Sequence, residues 1–260
     1  MSLPRNTSRI FRRQLRAHVA WPPLSNNLEL GDFGVFKGGV FERLGNIKKL
    51  GVDFELKVGP ASPFDFRSGG VTEVSFDADV KAGKTQAGLK IHFASADSLY
   101  LRSKRMLVFE IGESLPVALA LRKHPEWRMR YRVVYKLWRL EDAVFITTED
   151  RDAEVEIGGS LAAVRLLKTG SAAAGLKIMN KRGTGLESIG ATGPAMLGLF
   201  RVRLRDSTPD PLDFAIGSDP ADPAVDPAVD PAGLIEESDP QSDPEDDPED
   251  DLQADPQAAS

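Results

Sequence analysis

The stretch "VTEVSFDADVKAGKTQAGLKIHFA", residues 71–94, decides the fold class because its apolar and polar residues alternate on both sides of a Gly- and Lys-rich centre. Alternation with a period of two is typical of a β-strand with one buried face. The stretch therefore predicts two antiparallel strands joined by a hairpin tip at 78–85. The same period recurs at 52–58, 98–111, 153–157 and 196–205.

Other segments complete a prediction of an α+β fold, which is a mostly antiparallel, twisted sheet with long hairpins and a few short helices. Residues 32–41 predict a hairpin turning at Lys37-Gly38-Gly39. Residues 128–138 and 143–149 predict two long strands folded over Leu140-Glu141-Asp142, and 114–124 predicts a short helix that begins near Ser114.

Residues 5–20 contain five arginines and no acidic residue, and they predict a basic amphipathic helix that ends before Pro22-Pro23. An ordinary surface helix, a helix lying on an anionic membrane, and an organelle transit peptide all fit this pattern. Under the second interpretation four of its arginines contact anions: Arg9, Arg12, Arg13 and Arg16.

Charge divides the chain into a basic domain, 1–205, and an acidic segment, 206–260. The second part holds 18 of the 39 acidic residues and none of the 33 basic ones, so the first part carries a net charge of +12. Asp-Pro repeats and self-repulsion predict an extended, disordered tail that competes for the basic surface of the domain. The apolar residues Leu212, Phe214 and Ile216 are a candidate autoinhibitory latch.

Further basic residues predict an anion-binding surface on the domain. They are Lys48 and Lys49, together with Arg128, Arg130 and Arg132, which alternate along the predicted strand 128–138 and would therefore share one of its faces. Anionic lipid, nucleic acid and an acidic protein are all candidate partners. Nucleic acid is the weaker of these, because the chain shows no regular aromatic interleaving for base stacking.

Chemistry that would define an enzyme is hard to find in the sequence. Residues 78–85, "ADVKAGKT", fit a relaxed phosphate-loop pattern, but a strand rather than a helix is predicted after them, which favours a hairpin tip. The chain has no cysteine, its three histidines share no ligand spacing, and no carboxylate pair is identifiable. We therefore expect a non-enzymatic protein without a cofactor or metal.

Four segments, in compatible order, resemble bacterial gasdermins. They are "GVFERLGNIKKL" (39–50), "LYLRSKRMLVFEIGESL" (99–115), "AVFITTED" (143–150) and "GATGPAMLGLFRVRLR" (190–205). The family differs from this chain in commonly carrying an acylated cysteine and in having a short, apolar inhibitory peptide.

The resemblance implies a pore-forming effector of the defence or cell-death type. Such a protein is cytoplasmic at rest and held inactive by its C-terminal segment until a protease removes it. It then binds membrane lipids, forms a homo-oligomer and refolds two regions into membrane-spanning β-hairpins. The corresponding regions are about 71–105 and 153–189, and their apolar positions are Val74, Phe76, Val80, Leu89, Ile91, Phe93, Val155, Ile157, Leu176 and Ile178.

Overall fold

The computed structural model describes residues 3–78, 86–128, 130–160, 163–164, 176–202 and 235–237. Two α-helices span Leu3–Ile10 (α1) and Ser114–Lys123 (α2), with a π-helical turn at Phe11–Leu15 and a 3-10 helix at Ile47–Leu50. The strands are β1 His18–Val19, β2 Asp32–Lys37, β3 Val40–Asn46, β4 Leu56–Val58, β5 Ser62–Arg67, β6 Val71–Ala78, β7 Gln86–Phe93, β8 Leu99–Ile111, β9 Arg132–Thr148, β10 Ala153–Ser160, β11 Lys177–Arg182, β12 Thr184–Val202 and β13 Ile235–Glu237.

These strands form two sheets in which every pairing is antiparallel. The larger sheet, here called the main sheet, is built on β9, which pairs with β12 along one edge and with β8 and β2 along the other. β3 extends it beyond β2, β4 and β5 extend it beyond β8, and β1 and β13 pair with β12. The smaller sheet has the order β11-β10-β7-β6. The predicted antiparallel fold with long hairpins, an N-terminal helix and a further helix is thereby confirmed.

The hairpin predicted at 32–41 is also confirmed, and the geometry of its turn explains why two glycines occur there. Gly38 and Gly39 have φ of 60° and 77°, and two successive left-handed residues form the type of tight turn that matches the twist of paired strands. The predicted helix at 114–124 is α2, although no side chain caps its first turn. Of the strand predicted at 52–58, only Leu56–Val58 is formed.

The turn predicted at Leu140-Glu141-Asp142 is wrong, because β9 runs through it as one 17-residue strand. β8 pairs with both sides of this point, with Arg105 opposite Glu141 and Ser103 opposite Ala143. The polar residues that suggested a turn mark an irregularity instead, since Asp142 has a left-handed φ of 50° and the register against β12 shifts beside it.

The N-terminal helix is shorter than predicted. The helical path ends at Arg16, whose φ is 50°, and His18–Val19 then pair with β12 as a strand. Thr7 lies inside the helix, where its hydroxyl donates to the Leu3 carbonyl one turn earlier (2.9 Å). Backbone pairing along β12 therefore replaces the last turn of the predicted helix.

Candidate membrane-inserting hairpins

The smaller sheet consists of the two predicted hairpin regions packed side by side. β6 and β7 form one hairpin, β10 and β11 form the other, and β7 pairs with β10 to join them. The remaining part of each predicted region, 99–105 and 184–189, belongs to β8 and β12 of the main sheet. We refer to the two pairs as the first and second hairpins.

One face of this sheet is apolar and packs against the main sheet. Five of the predicted apolar positions are fully buried there: Leu89, Ile91, Phe93, Val155 and Ile157. They contact Tyr100 of β8 and Val144 and Ile146 of β9, while Leu176 and Ile178 pack partly buried at the margin. The apolar stripes of β7 and β10 are thus covered in this conformation.

The opposite face is charged. Lys90 of β7 and Glu154 of β10 form an ion pair of 2.8 Å, and His92 lies 3.9 Å from Asp152. The hydrogen bond to Glu154 raises the pKa of Lys90, and the same bond lowers the pKa of Glu154. The side chains that alternate with the buried stripe are therefore suited to water.

Two predicted apolar positions of β6, Val74 and Phe76, are out of phase with the buried stripe of β7. Val74 pairs with Lys90 and Phe76 with Gly88, whereas Glu73 pairs with the buried Ile91. Residues directly opposite in an antiparallel pair share a face. Glu73 therefore shares the face of the buried stripe, as does Val71, which pairs with Phe93. Val80 lies outside the described residues.

Glu73 is accommodated on that face by a network of charged and polar groups at the boundary with the main sheet. Its carboxylate accepts a hydrogen bond from the Tyr100 hydroxyl (2.6 Å) and from Arg102 (3.4 Å), and it pairs with Arg67 (3.0 Å). Asp65 lies 3.2 Å from both guanidinium groups. Burial raises the pKa of Tyr100, and its hydrogen bond to Glu73 raises it further. We call these five residues the Glu73 network.

Four chain crossings connect the hairpins to the main sheet, and each contains one residue with a left-handed φ. These residues are Gly70 (83°), Asp97 (53°), Asp152 (55°) and Gly183 (68°). Hydrogen bonds also link the crossings to neighbouring chain segments. Leu99 N donates to Ser68 Oγ (2.9 Å), Ser98 N donates to Thr148 Oγ1 (3.1 Å), and Glu149 N donates to the Gly183 carbonyl (3.4 Å). Such residues can absorb large backbone changes, as hinges do.

The predicted anion-binding residues lie in two separate groups. Arg9, Arg12, Arg13 and Arg16 accompany α1 and the π-helical turn, where Arg12 is buried and Arg13 and Arg16 are exposed. Arg9 is ion-paired with Asp97, one of the crossing residues.

The second group surrounds the core cluster beneath α2. Lys48 and Lys49 are exposed on the 3-10 helix, and the Lys48 ammonium lies 4.7 Å from the centre of the Phe54 ring. Arg128 and Arg130 are exposed but precede β9, so the prediction that they share a strand face with Arg132 is wrong. Only Arg132 is in the strand, because the chain is still in a turn at Arg130.

Of the acidic segment, the structure describes one element. Ile235–Glu237 form β13, which pairs with the end of β12 so that Arg201 lies opposite Glu236. The candidate latch residues Leu212, Phe214 and Ile216 lie outside the described residues, as do Arg203 and Arg205.

Sequence reasoning missed Glu73 and Asp97. Glu73 is the only charged residue in "VTEVSF", and its place in an alternating strand resembles that of any solvent-facing residue. Asp97 follows a Ser- and Ala-rich stretch that reads as a loop. Neither signal indicates a long-range partner.

No family model and no curated protein matches the chain. A solved structure that resembles it is the cryo-EM structure of the gasdermin A3 membrane pore, which is 12% identical. The match covers 78% of this chain and 92% of that chain with a TM-score of 0.29. Among the residues that the structure describes, no helix is both long and apolar enough to cross a membrane.

Proposed function

We propose that this chain is a non-enzymatic pore-forming protein that is soluble at rest and inserts its two hairpins into an anionic membrane. The observation that carries the proposal is the arrangement of the smaller sheet. Two adjacent hairpins cover their main apolar stripe against the main sheet, carry charges on the opposite face, and join the body through four crossings with left-handed residues. A membrane β-barrel needs strands with one apolar and one polar face.

Strand length supports refolding rather than simple detachment. β6, β7 and β10 have eight residues each and β11 has six, whereas a tilted strand needs about 9–11 residues to cross a bilayer. Gly70, Asp152 and Gly183 are adjacent in sequence to the ends of β6, β10 and β11. Straightening the crossings would lengthen each hairpin at its body end.

The acidic segment is proposed to restrain this change. β13 occupies an edge of β12, a strand that follows directly from the second hairpin through Gly183. Proteolysis between β12 and β13 would remove the restraint together with up to 18 of the 39 acidic residues of the chain. The exposed cations would then be available to anionic lipid, and copies of the protein would assemble into a homo-oligomeric pore.

The proposal is tested with the full chain carrying an inserted protease site in 206–234. We expect cleavage to cause dye release from vesicles that contain anionic lipid, and expect little release from zwitterionic vesicles or by uncleaved protein. A cleaved chain that leaves both vesicle types intact would contradict the proposal. Steeply salt-dependent DNA binding by the same cleaved protein would instead favour a nucleic-acid module.

A further inference from the structure

We infer that the main sheet has a hinge line of its own, across which its hairpin-bearing part turns when the protein inserts into a membrane. The line crosses three neighbouring strands at Lys104 of β8, Asp142 of β9 and residues 190–192 of β12, and we call it the crease. This inference rests on the proposed function and adds a second place of movement to the four crossings.

Regular strand pairing is interrupted at the crease in all three strands. The ladder between β8 and β9 skips Lys104 and Asp142, although the pairs on either side keep one register. Asp142 has a left-handed φ of 50°, and Gly190 in β12 has one of 72°. The register of β12 against β9 shifts on both sides of Ala191. Irregularities of this kind bend a strand and increase its twist.

Two side-chain hydroxyls take the place of ladder bonds at the crease. The buried Ser103 hydroxyl donates to the Glu141 carbonyl (2.7 Å) and accepts from the backbone amides of Glu141 and Arg105 (both 3.2 Å). From the other side, the Thr192 hydroxyl accepts a hydrogen bond from the Asp142 amide (3.2 Å). Side chains therefore hold the β9 backbone from both sides here, so the strand can bend at this point without breaking direct strand pairing.

The residues at the crease favour turns rather than strands. Glu141-Asp142 predicted a turn, and "GATGP" at 190–194 contains two glycines and a proline. Both segments are extended because neighbouring strands pair with them on either side. Positions where the local preference opposes the fold are expected to be strained or functional sites.

The part of the main sheet beyond the crease is packed between the hairpins and the N-terminal segment. It consists of residues 99–103, 143–148 and 184–189. Val144 and Ile146 on one face contact the hairpin cluster, and Phe145 on the other face packs with Phe11. The strands of this part continue through the crossings into β7, β10 and β11. We therefore expect this part to move with the hairpins, while the rest of the main sheet stays with α2.

Distances between spin labels in the full chain with the inserted protease site test the turning directly. The natural chain contains no cysteine, so introduced cysteines carry the only labels. Arg139→Cys with Glu149→Cys places exposed labels on either side of Asp142, ten residues apart, and a straight strand of that length spans about 33 Å. We expect this distance to lengthen toward that value when cleaved protein, diluted with unlabelled wild type, inserts into anionic vesicles. Arg139→Cys with Lys49→Cys, both outside the hairpin-bearing part, is the matched control and should keep its distance.

Substitutions at Asp142 test whether its bent backbone belongs to the resting state alone. Asp142→Ala penalises the left-handed φ, so the delay between cleavage and dye release should shorten by about fivefold or more as insertion relieves that strain. Asp142→Asn tolerates this φ and should keep the wild-type delay. Gly51→Ala imposes the same kind of φ penalty at the end of the 3-10 helix, where a side chain meets open space, and should leave the delay unchanged.

An unchanged 139–149 distance in vesicles that have released their dye would overturn the inference. Equal delays for Asp142→Ala and Gly51→Ala would overturn it as well. Cleaved wild type tested alongside separates these results from failure of the proposed function, because absence of release by cleaved wild type would overturn both.

Discussion

Arg9 of the N-terminal helix lies 3.1 Å from Asp97, the left-handed residue in the crossing between β7 and β8. Asn6 of the same helix donates a hydrogen bond to the other carboxylate oxygen of Asp97. Two residues of α1 therefore bind the crossing that connects the first hairpin to the main sheet. Arg9, which the sequence predicts to bind an anion outside the protein, is instead paired with the carboxylate of Asp97. This pair connects the basic N-terminal helix to the first hairpin.

Substitutions at Asp97 should separate the ion pair from the backbone conformation. We expect Asp97→Asn to lower the free energy of unfolding by about 0.5 kcal/mol, because the pair is partly exposed and Asn tolerates a left-handed φ. Asp97→Ala should lower it by about 1–2 kcal/mol, since alanine adds the cost of that φ. Urea unfolding of the full chain measures both changes. Equal losses for the two variants would show that the φ of Asp97 has no energetic consequence.

Gly34 of β2 should tolerate no side chain. A Cβ atom there would lie 1.9 Å from the Glu42 carbonyl oxygen, which is backbone and cannot rotate away. We expect Gly34→Ala to lower the free energy of unfolding by about 2–4 kcal/mol, as overpacking of paired strands does. Gly69→Ala is the matched control, because its Cβ would meet nothing within 4 Å. Similar urea midpoints for the two variants would contradict the close approach of β2 and β3.

Local sequence patterns were sufficient to predict several hairpins and the second helix, because alternation, turn preferences and helix signals act over a few residues. The turn at Gly38-Gly39 and the helix at Ser114–Lys123 are examples. The polar residues at Glu141-Asp142 misled the prediction because strands on both sides of β9 continue past them. Pairing with neighbours outweighed local turn preference at that point.

The candidate site was predictable only in part, since its arrangement depends on contacts between distant residues. Leu89 and Ile91 were identified as one apolar stripe from β7 alone, but the phase of β6 against β7 is set by register. Nor does a sequence pattern connect Glu73 with Arg102, which lies 29 residues later. The contact between β13 and β12 joins two segments separated by more than thirty residues that the structure does not describe.

The Lys90–Glu154 pair should make a small contribution to stability that depends on pH. The pKa of Glu154 is lowered in the folded protein, so its contribution is present above the unfolded value of about 4.3 and is lost as pH falls through the lower folded value. The pKa of Lys90 is raised, so its contribution is present below about 10.4 and is lost as pH rises through the folded value. The difference in urea midpoint between wild type and Glu154→Gln should therefore be largest between these limits. A difference that stays constant down to pH 2 would contradict the pairing, and Glu126→Gln, at an exposed turn, serves as the control.

Tandem prolines in β13 should release the acidic segment without removing any of it. Successive amides of a strand point to opposite sides, so Ile235→Pro with Glu236→Pro eliminates the donor that faces β12 whichever of the two it is. Under the proposed function, this full-length variant should release dye from anionic vesicles without cleavage. The substitutions leave the basic domain unchanged. Replacing both residues with alanine retains the backbone donors and is the matched control.

The amides of Phe200–Val202 should exchange hydrogen faster in the proline variant than in wild type, because the edge of β12 loses its partner. Faster exchange without dye release would show that β13 covers the edge but does not restrain the hairpins, whereas release by the alanine variant as well would assign the restraint to side chains rather than to strand pairing.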